Sequence, residues 1–461
     1  IALLKGIMKV VVEKGGIDRA FLAEHTRGAD VLIESVRAAD WDEIVASSGV
    51  AREEIEKAAR TYLDAERVIV CWAMGITQHK NAVGNVREIV NLLALRGMLG
   101  KTGAGVCPVR GHSNVQGDRT VGIYEAPSEA FLQRLDAGTG ITSPRAHGFD
   151  VVDTIRACDD GRVKVFMALG GNFIAATPDT ERTLAALRKC KLTVQVSTKL
   201  NRSHLESGSA ALILPCLGRS ERDEQREIPQ FVTVENSMGV VHRSEGRLDP
   251  AGPGLRSECA IVAGVAQEAL GPDHRVPWQK LVDDYDEIRA LIEKSIAGFD
   301  RFNARVREPD GFLLPNGVRE RTWNTASGKV ELTVQPIPKS DLRKGQLIMM
   351  TIRSHDQFNT TIYEMNDRYR GIHGDRRVVF AHPDDIAELG LAPDQIVDVT
   401  SHFRGQARTV QKFRLVPYDI PRGCCAAYFP ETNPLVPLDS QADESGTPTS
   451  KSFAVSFASA R

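Results

Sequence analysis

The sequence has no run of 18 apolar residues, so no segment reads as a membrane-spanning helix. It has almost no excess of either charge: 58 basic and 60 acidic side chains leave a formal net charge of −2. That balance gives no footprint for sequence-independent nucleic-acid binding. There is no C-x-x-C pair. Apart from the adjacent Cys424 and Cys425, the closest cysteines, Cys190 and Cys216, lie 26 residues apart. Zinc and iron–sulfur sites announce themselves by close ligand spacing, and a secreted disulfide framework by dense cysteines; neither is read here. The eight thiols read as reduced and mostly buried. No G-x-G-x-x-G opens a strand–helix unit, so a nicotinamide fold has no fingerprint. Gly100-Lys101-Thr102 lacks the P-loop glycine, since Leu95 stands in its place. Gly111-His112-Ser113-Asn114-Val115 lacks the closing glycine of a nucleophile elbow. No signal or transit peptide is visible, and a cytoplasmic location is the expectation.

What is present is an ordinary soluble composition over 461 residues, enough for roughly three domains. Ile1-Ala2-Leu3-Leu4 reads as the middle of a packed element, so the expectation is part of a longer chain. Residues 1 to 66 carry apolar side chains at helical spacing. Val68 to Trp72 is a continuous apolar run, as in a strand buried on both faces, broken at Met74-Gly75. A helix with Val83, Val86, Val90 and Leu93 on one face follows and stops at Gly97. A second strand–helix–strand unit begins near 150. Val163 to Leu169 reads as a buried strand broken by Gly170-Gly171-Asn172, and Thr177-Pro178 as the start of a helix holding Leu184 and Leu187. Strands follow at 192–196 and 211–214. Residues 219–227 read as a solvated surface segment.

Alternation of this kind predicts an α/β fold with a doubly wound parallel sheet and ligands at the carboxyl ends of its strands. From about 343 short β-rich runs at 346–352, 377–381, 395–400, 406–416 and 424–429, with one helix at 383–389, predict a compact β-barrel. The expected domains are 1–112 (α/β), 113–255 (second α/β), 256–342 (a helical and irregular connection) and 343–461 (the barrel). Between 105 and 117 a polar, glycine-flanked loop holds Arg110, His112, Ser113, Asn114 and Gln116, the kind of segment where binding sites concentrate.

The run Met74-Gly75-Ile76-Thr77-Gln78-His79, Asn85-Val86-Arg87, Asn91-Leu92, Gly100 to Val106, Pro108-Val109-Arg110-Gly111 and Asn114-Val115-Gln116-Gly117 resembles the molybdopterin-containing oxidoreductases (the DMSO reductase superfamily), specifically formate dehydrogenase alpha subunits. Gly170-Gly171-Asn172, Ile213-Leu214-Pro215, Ser244-Glu245-Gly246-Arg247 and Arg353 to Thr360 follow in the expected order, with Asn433 and Lys451 fitting closing motifs. Lys199 to His204 and His355-Asp356-Gln357 look like a branch close to the formate dehydrogenases.

The resemblance implies α/β cofactor domains of the formate dehydrogenase/DMSO reductase type, incomplete in this chain, and a double-psi-like C-terminal barrel. It implies molybdenum or tungsten held between two molybdopterin guanine dinucleotides. By analogy Met74, Gly75, Gln78, Asn114, Gln116, Gly117, Gly171, Asn172 and Thr198 would contact the cofactor from the α/β region, and Arg353, His355, Asn359, Thr360, Asn433 and Lys451 from the barrel. Arg110 matches the arginine beside the metal, whose planar donor fork suits formate. His112 could accept a proton near neutral pH or hydrogen-bond the pterin. The implied metal ligand and a four-iron cluster would lie before the residues seen here, with no metal ligand inside this chain, and a separate electron-transfer subunit is a possible partner. Two further readings stay open: a molybdenum oxidoreductase of another small substrate, and a non-catalytic cofactor-binding scaffold.

Overall fold

In the computed structural model, which describes residues 1–112, 114–339 and 341–460, the chain forms two compact units. One comprises Ile1–Val109 with Asn316–Arg461, the other Arg110–Pro315. Ser113, part of the polar loop singled out above, lies outside the described residues. Among the described residues no helix is long and apolar enough to cross a membrane.

The first unit opens with helices, as their spacing predicts: α1 (Ala2–Glu13), α2 (Arg19–His25), α3 (Ala29–Ala38), α4 (Trp41–Ser48) and α5 (Arg52–Asp64). Asp18 and Asp40 cap two of them by accepting the N–H of Phe21 and Glu43. Strand β1 (Ile69–Trp72) pairs in parallel with β2 (Gly105–Pro108). The expected burial of β1 on both faces is wrong. Val70 and Trp72 pack on the helical core, whereas Ile69 is 50% exposed and Cys71 points to solvent. The helical core covers one face of β1, so only its inward-facing alternate side chains are covered.

Helix α6 (Ala82–Leu95) also presents a different face from the one predicted. Its buried residues include Asn85, Glu88, Ile89, Leu92 and the expected Leu93, while Val83, Val86 and Val90 are half-buried. The reason is an ion pair. Glu88, with no exposed surface, meets buried Lys5 of α1 at 3.3 Å and accepts from Asn91 at 3.0 Å, so a charged residue occupies the inner face. Gly97 ends the helix at φ +62°, as a stop glycine should.

In the second unit β3 (Val165–Leu169), β4 (Leu192–Ser197) and β5 (Ala210–Pro215) form a parallel sheet with β4 central. Only β4 is covered on both faces. Val165, Met167 and Leu169 of β3 are 56%, 38% and 52% exposed, so its predicted burial is corrected for the same reason as in β1. Thr177-Pro178 does not start the next helix. Thr177 donates its hydroxyl back to Phe173 O and closes the turn before, and α7 (Thr180–Leu187) begins after Asp179. The charged run at 219–227 leads into a short hairpin, 223–230, whose Asp223 accepts a hydrogen bond from the buried Tyr285 hydroxyl at 2.6 Å, so it is not wholly solvated. Strands β6 (Val232–Glu235) and β7 (Val240–Ser244) make an antiparallel hairpin over helix α8 (Tyr285–Ser295) and a phenylalanine cluster.

The C-terminal part closes into a six-stranded barrel. Its strands are β8 (Leu347–Ile352), β9 (Val378–Ala381), β10 (Ile396–Phe403), β11 (Gln406–Pro417), β12 (Cys424–Tyr428) and β13 (Phe453–Ser459), ordered β8-β12-β9-β11-β10-β13 around the ring. Five were legible in the sequence. The sixth, β13, closes the ring between β8 and β10. The protein is thus a mixed α/β fold with a closed C-terminal β-barrel. Its cysteines are all free thiols, but only four are buried, with Cys71 exposed.

Candidate cofactor site

Strand β1 delivers the chain into a single helical turn, Met74–Thr77, at its carboxyl end. The turn is pinned from beneath, since the Asn85 carboxamide donates to Ile76 O at 3.0 Å. Nothing stands within 4 Å of the place a Cβ on Gly75 would occupy, so the backbone there is open to a ligand. Gln78 O accepts the N–H of Lys451 from the barrel at 3.1 Å, and Lys80 O accepts from Asp443 N at 2.7 Å. Within the first unit, then, Met74, Gly75, Gln78 and Lys451 come together. Lys451 donates its ammonium to Thr351 O at the end of β8. Burial, and then the neighbouring Arg353 guanidinium, hold the Lys451 ammonium down at about 8. Arg353 is itself lowered by burial. His79, held by Gly75 O at 2.7 Å, is lowered chiefly by burial as well. Partly desolvated cations beside an open backbone turn are what a phosphate-bearing ligand requires.

The loop after β8 carries the other barrel residues. His355 turns its Nδ1 to Asp367 Oδ1 at 3.1 Å and stacks on Tyr369, ring centroids 4.1 Å apart. Asp367 is 2% exposed and also accepts from Arg370 at 2.7 Å and Tyr428 at 2.9 Å. Burial pushes its carboxyl up, but those donors prevail and hold it at about 2. Arg376, 3% exposed, braces the loop by donating to Ser354, Gln357 and Phe429 O, with Glu431 as its counter-ion at 2.6 Å. Gln357 in turn holds Asn359 O at 2.7 Å, with Asn359 at φ +47°. Thr360 is 6% and Asn433 3% exposed, the latter opening a 3-10 turn, so both are placed inside the barrel's supports. Asp367 and Arg376 were missed in the sequence. Their partners lie up to 61 residues away, beyond the reach of a local motif.

In the second unit Arg110 is exposed, and its Nε and Nη2 both donate to Gln116 Oε1, at 3.0 and 2.8 Å. Its backbone N–H donates to Ser237 Oγ at 3.3 Å, in the turn between β6 and β7. Ser237 was also missed; the sequence reading pointed to Ser244-Glu245-Gly246, farther along the same hairpin. Gln116 sits in a short helix, Val115–Thr120, whose capping residue Asn114 accepts from Glu235 N at 3.0 Å and donates to Asp118. Gly117 has no room for a side chain, since a Cβ would stand 2.2 Å from Asn114 Oδ1. His112 is exposed two residues from Arg110. A separate group forms at the carboxyl ends of β3 and β4. Gly170 and Gly171 take φ +70° and +76° with open space around them, and Asn201 donates to Gly171 O at 2.7 Å. Asn172, 7% exposed, accepts from Ser203 Oγ at 2.9 Å and so fastens this turn; Thr198 is exposed at the end of β4. Among the described residues no three His, Cys, Asp or Glu side chains are grouped to hold a metal ion.

Comparison with known proteins fits these surfaces. Residues 347–454 match the family model described as the molydopterin dinucleotide binding domain, which covers five of the barrel strands entirely and the start of β13. The chain is 49% identical over 466 aligned positions to an uncharacterized oxidoreductase of Mycobacterium tuberculosis, covering 98% of this chain and 60% of the relative. It is 43% identical over 470 positions to the protein YdeP of Escherichia coli, covering 98% and 62%. The alpha subunit of an F420-dependent formate dehydrogenase from Methanocaldococcus jannaschii is 25% identical over 484 positions, covering 96% and 66%. The chain therefore spans about 60% of the length of the first two relatives. Among solved structures, acetylene hydratase from Pelobacter acetylenicus superposes with a TM-score of 0.67 at 16% identity, over 99% of this chain and 70% of that one, a likeness of fold. The dinucleotide-binding barrel and the relatives matching along 98% of this chain support a molybdopterin-containing oxidoreductase of the DMSO reductase superfamily.

Proposed function

We propose that the protein containing this chain is a molybdopterin-dinucleotide-dependent oxidoreductase that oxidises a small carboxylate, formate to carbon dioxide in the first instance. One observation carries the substrate class: the Arg110 guanidinium is fixed in plane by two bonds to one Gln116 oxygen. A guanidinium has five N–H donors in a rigid fork, so the donors left over suit the two oxygens of a carboxylate. Arg110 would bind and orient the anion and stabilise the charge shift as carbon loses its hydrogen. Gln116 is then a positioning residue. His112 would take the proton, for formate yields carbon dioxide, one proton and two electrons. When bound, the pterin-held molybdenum or tungsten supplies the two-electron acceptor.

The residues present fit such a group. Lys451, tied to the Met74–Gln78 turn through Gln78 O, and the neighbouring Arg353 would bind its phosphates on the first unit. The open backbone at Gly170-Gly171, with Thr198, would do so on the second. The relative named as a formate dehydrogenase alpha subunit supports the substrate, and its name as a subunit supports a separate electron-transfer partner.

The test is formate-dependent dye reduction by the full-length, metal-loaded protein. Arg110→Ala should lower kcat/KM by about 100-fold or more, the scale of losing an oriented charge-stabilising donor. Undiminished activity at full metal content would remove Arg110 from the mechanism, and no formate activity in the loaded wild type would remove formate.

A further inference from the structure

Beneath the Asn114–Gly117 segment the second unit holds a half-open cavity of about 190 Å³. Its wall is apolar: Phe231, Val241, Ile292, Phe299 and Phe302 line it. Val241, Phe299 and Phe302 belong to a buried hydrophobic cluster, Phe299 and Phe302 standing 4.7 Å apart between ring centroids. An apolar cavity of about 150 Å³ is large enough to take up a benzene-sized molecule. This one therefore has room for a six-membered ring and a short substituent.

Its polar lining is unbalanced. Glu235, at the end of β6 and 5% exposed, lines the cavity, and its Oε2 is buried with no donor among the described residues. The arginine lining the same cavity does not serve it. Arg289, 4% exposed on the same wall, gives its Nε to Asn303, its Nη1 to Phe231 O and its Nη2 to Asp286. Asp286 also takes Arg307 at 2.8 Å, so that charge is compensated within its own network. A buried carboxylate oxygen without a donor is costly, and a ligand cation would remove the cost. Val121, 37% exposed, also lines the cavity and gives it a side toward solvent.

We infer that this cavity binds a compact apolar molecule carrying one protonated amino group, the amine on Glu235 and the apolar body among Phe231, Phe299 and Phe302. The inference does not depend on the oxidoreductase reading. The site's roof is nonetheless the segment Asn114–Gly117, so an occupant would stiffen the helix that carries Gln116.

Benzylamine and toluene are suitable probes, titrated into the 461-residue chain by calorimetry, with amide hydrogen exchange to locate the effect. Benzylamine should bind saturably, more tightly than toluene, and protect the amides of 115–121 and 232–235. Glu235→Gln should weaken benzylamine at least tenfold and leave toluene unchanged. Val121→Trp, which keeps the carboxylate and narrows the entrance, should weaken both. Absence of saturable benzylamine binding, equal affinity in Glu235→Gln, or protection confined to other segments would overturn the inference.

Discussion

The C-terminal barrel and the sheet β3-β4-β5 are both built from apolar strands, yet they dispose of their side chains in opposite ways. The barrel has no edge. Each of its strands has two neighbours, and Met349, Val379, Val397, Val399, Leu415, Cys425 and Val455 are wholly buried along its interior. The sheet has two edges among the described residues, and Leu212 and Ile213 of β5 are 50% and 45% exposed, like alternate residues of β3. Neighbouring strands and covering elements, not hydrophobicity alone, decide whether an apolar residue in a strand contributes to stability. The same Val or Leu is core in one region and surface in the other.

The most direct way to break this comparison is a matched pair of substitutions in the 461-residue chain. Leu415→Ala should cost about 3 kcal/mol, because a fully buried side chain leaves a cavity behind. Met167→Ser on β3 should change stability by no more than about 0.5 kcal/mol, as for other exposed positions. Hydrogen exchange read separately on the amides of 410–416 and 192–197 reports each region in its own right. A loss at Met167 comparable to that at Leu415 would mean that the sheet is covered in solution, and the contrast would fail.

A smaller effect sharpens the barrel's side of the contrast. Closing the ring leaves Asp367 buried among Arg370, Tyr428 and His355. Its carboxyl is depressed in the folded state, to about 2. A depressed acid contributes stability above its unfolded value near 3.9 and loses it as pH falls toward 2. The shift corresponds to about 2 kcal/mol of barrel stability at neutral pH. Asp367→Asn should remove most of it and flatten the acid limb of the exchange-derived stability of 347–460 between pH 5 and about 2, leaving 192–197 untouched. An acid limb of unchanged slope in the variant would show that other carboxylates carry it.

The same contrast explains what could be read in advance. Strands show themselves by composition, so 192–196, 211–214 and five barrel strands stood out, as did the breaks at Gly75 and Gly170-Gly171. Which face a strand covers depends on neighbours that composition does not encode, and β1 and β3 were misjudged for that reason. The face of α6 was misjudged because the Lys5–Glu88 pair puts charge where the pattern expects carbon. Strand β13 was missed because its partners, Leu347–Met349 and Val397–His402, lie tens of residues away. At the site, motif resemblance named Arg110, Gln116, Asn172, Asn433 and Lys451 alike as expected contacts or catalytic groups. It did not show that Gln116 bonds Arg110 or that Asn172 bonds Ser203, since those bonds depend on how the loops fold back.

The two regions also differ in how they would hold phosphate, and here the expected effect is smallest. At Gly170-Gly171 the open groups are backbone, which does not titrate. On the barrel side the ammonium of Lys451 titrates at about 8, lowered first by burial and then by Arg353. An anion bound there needs the protonated form, so affinity is retained below about 8 and falls as pH rises through it. Guanosine diphosphate, whose own phosphate no longer titrates above pH 7, should bind the 461-residue chain about tenfold more weakly at pH 9 than at pH 7, following the fraction of Lys451 still protonated. Lys451→Met should weaken binding at pH 7 to about the wild-type value at pH 9 and abolish the slope. A slope that survives in Lys451→Met would assign the titration to another group, and a wild type with no slope would mean that backbone donors, as in the sheet, hold the phosphate on both sides.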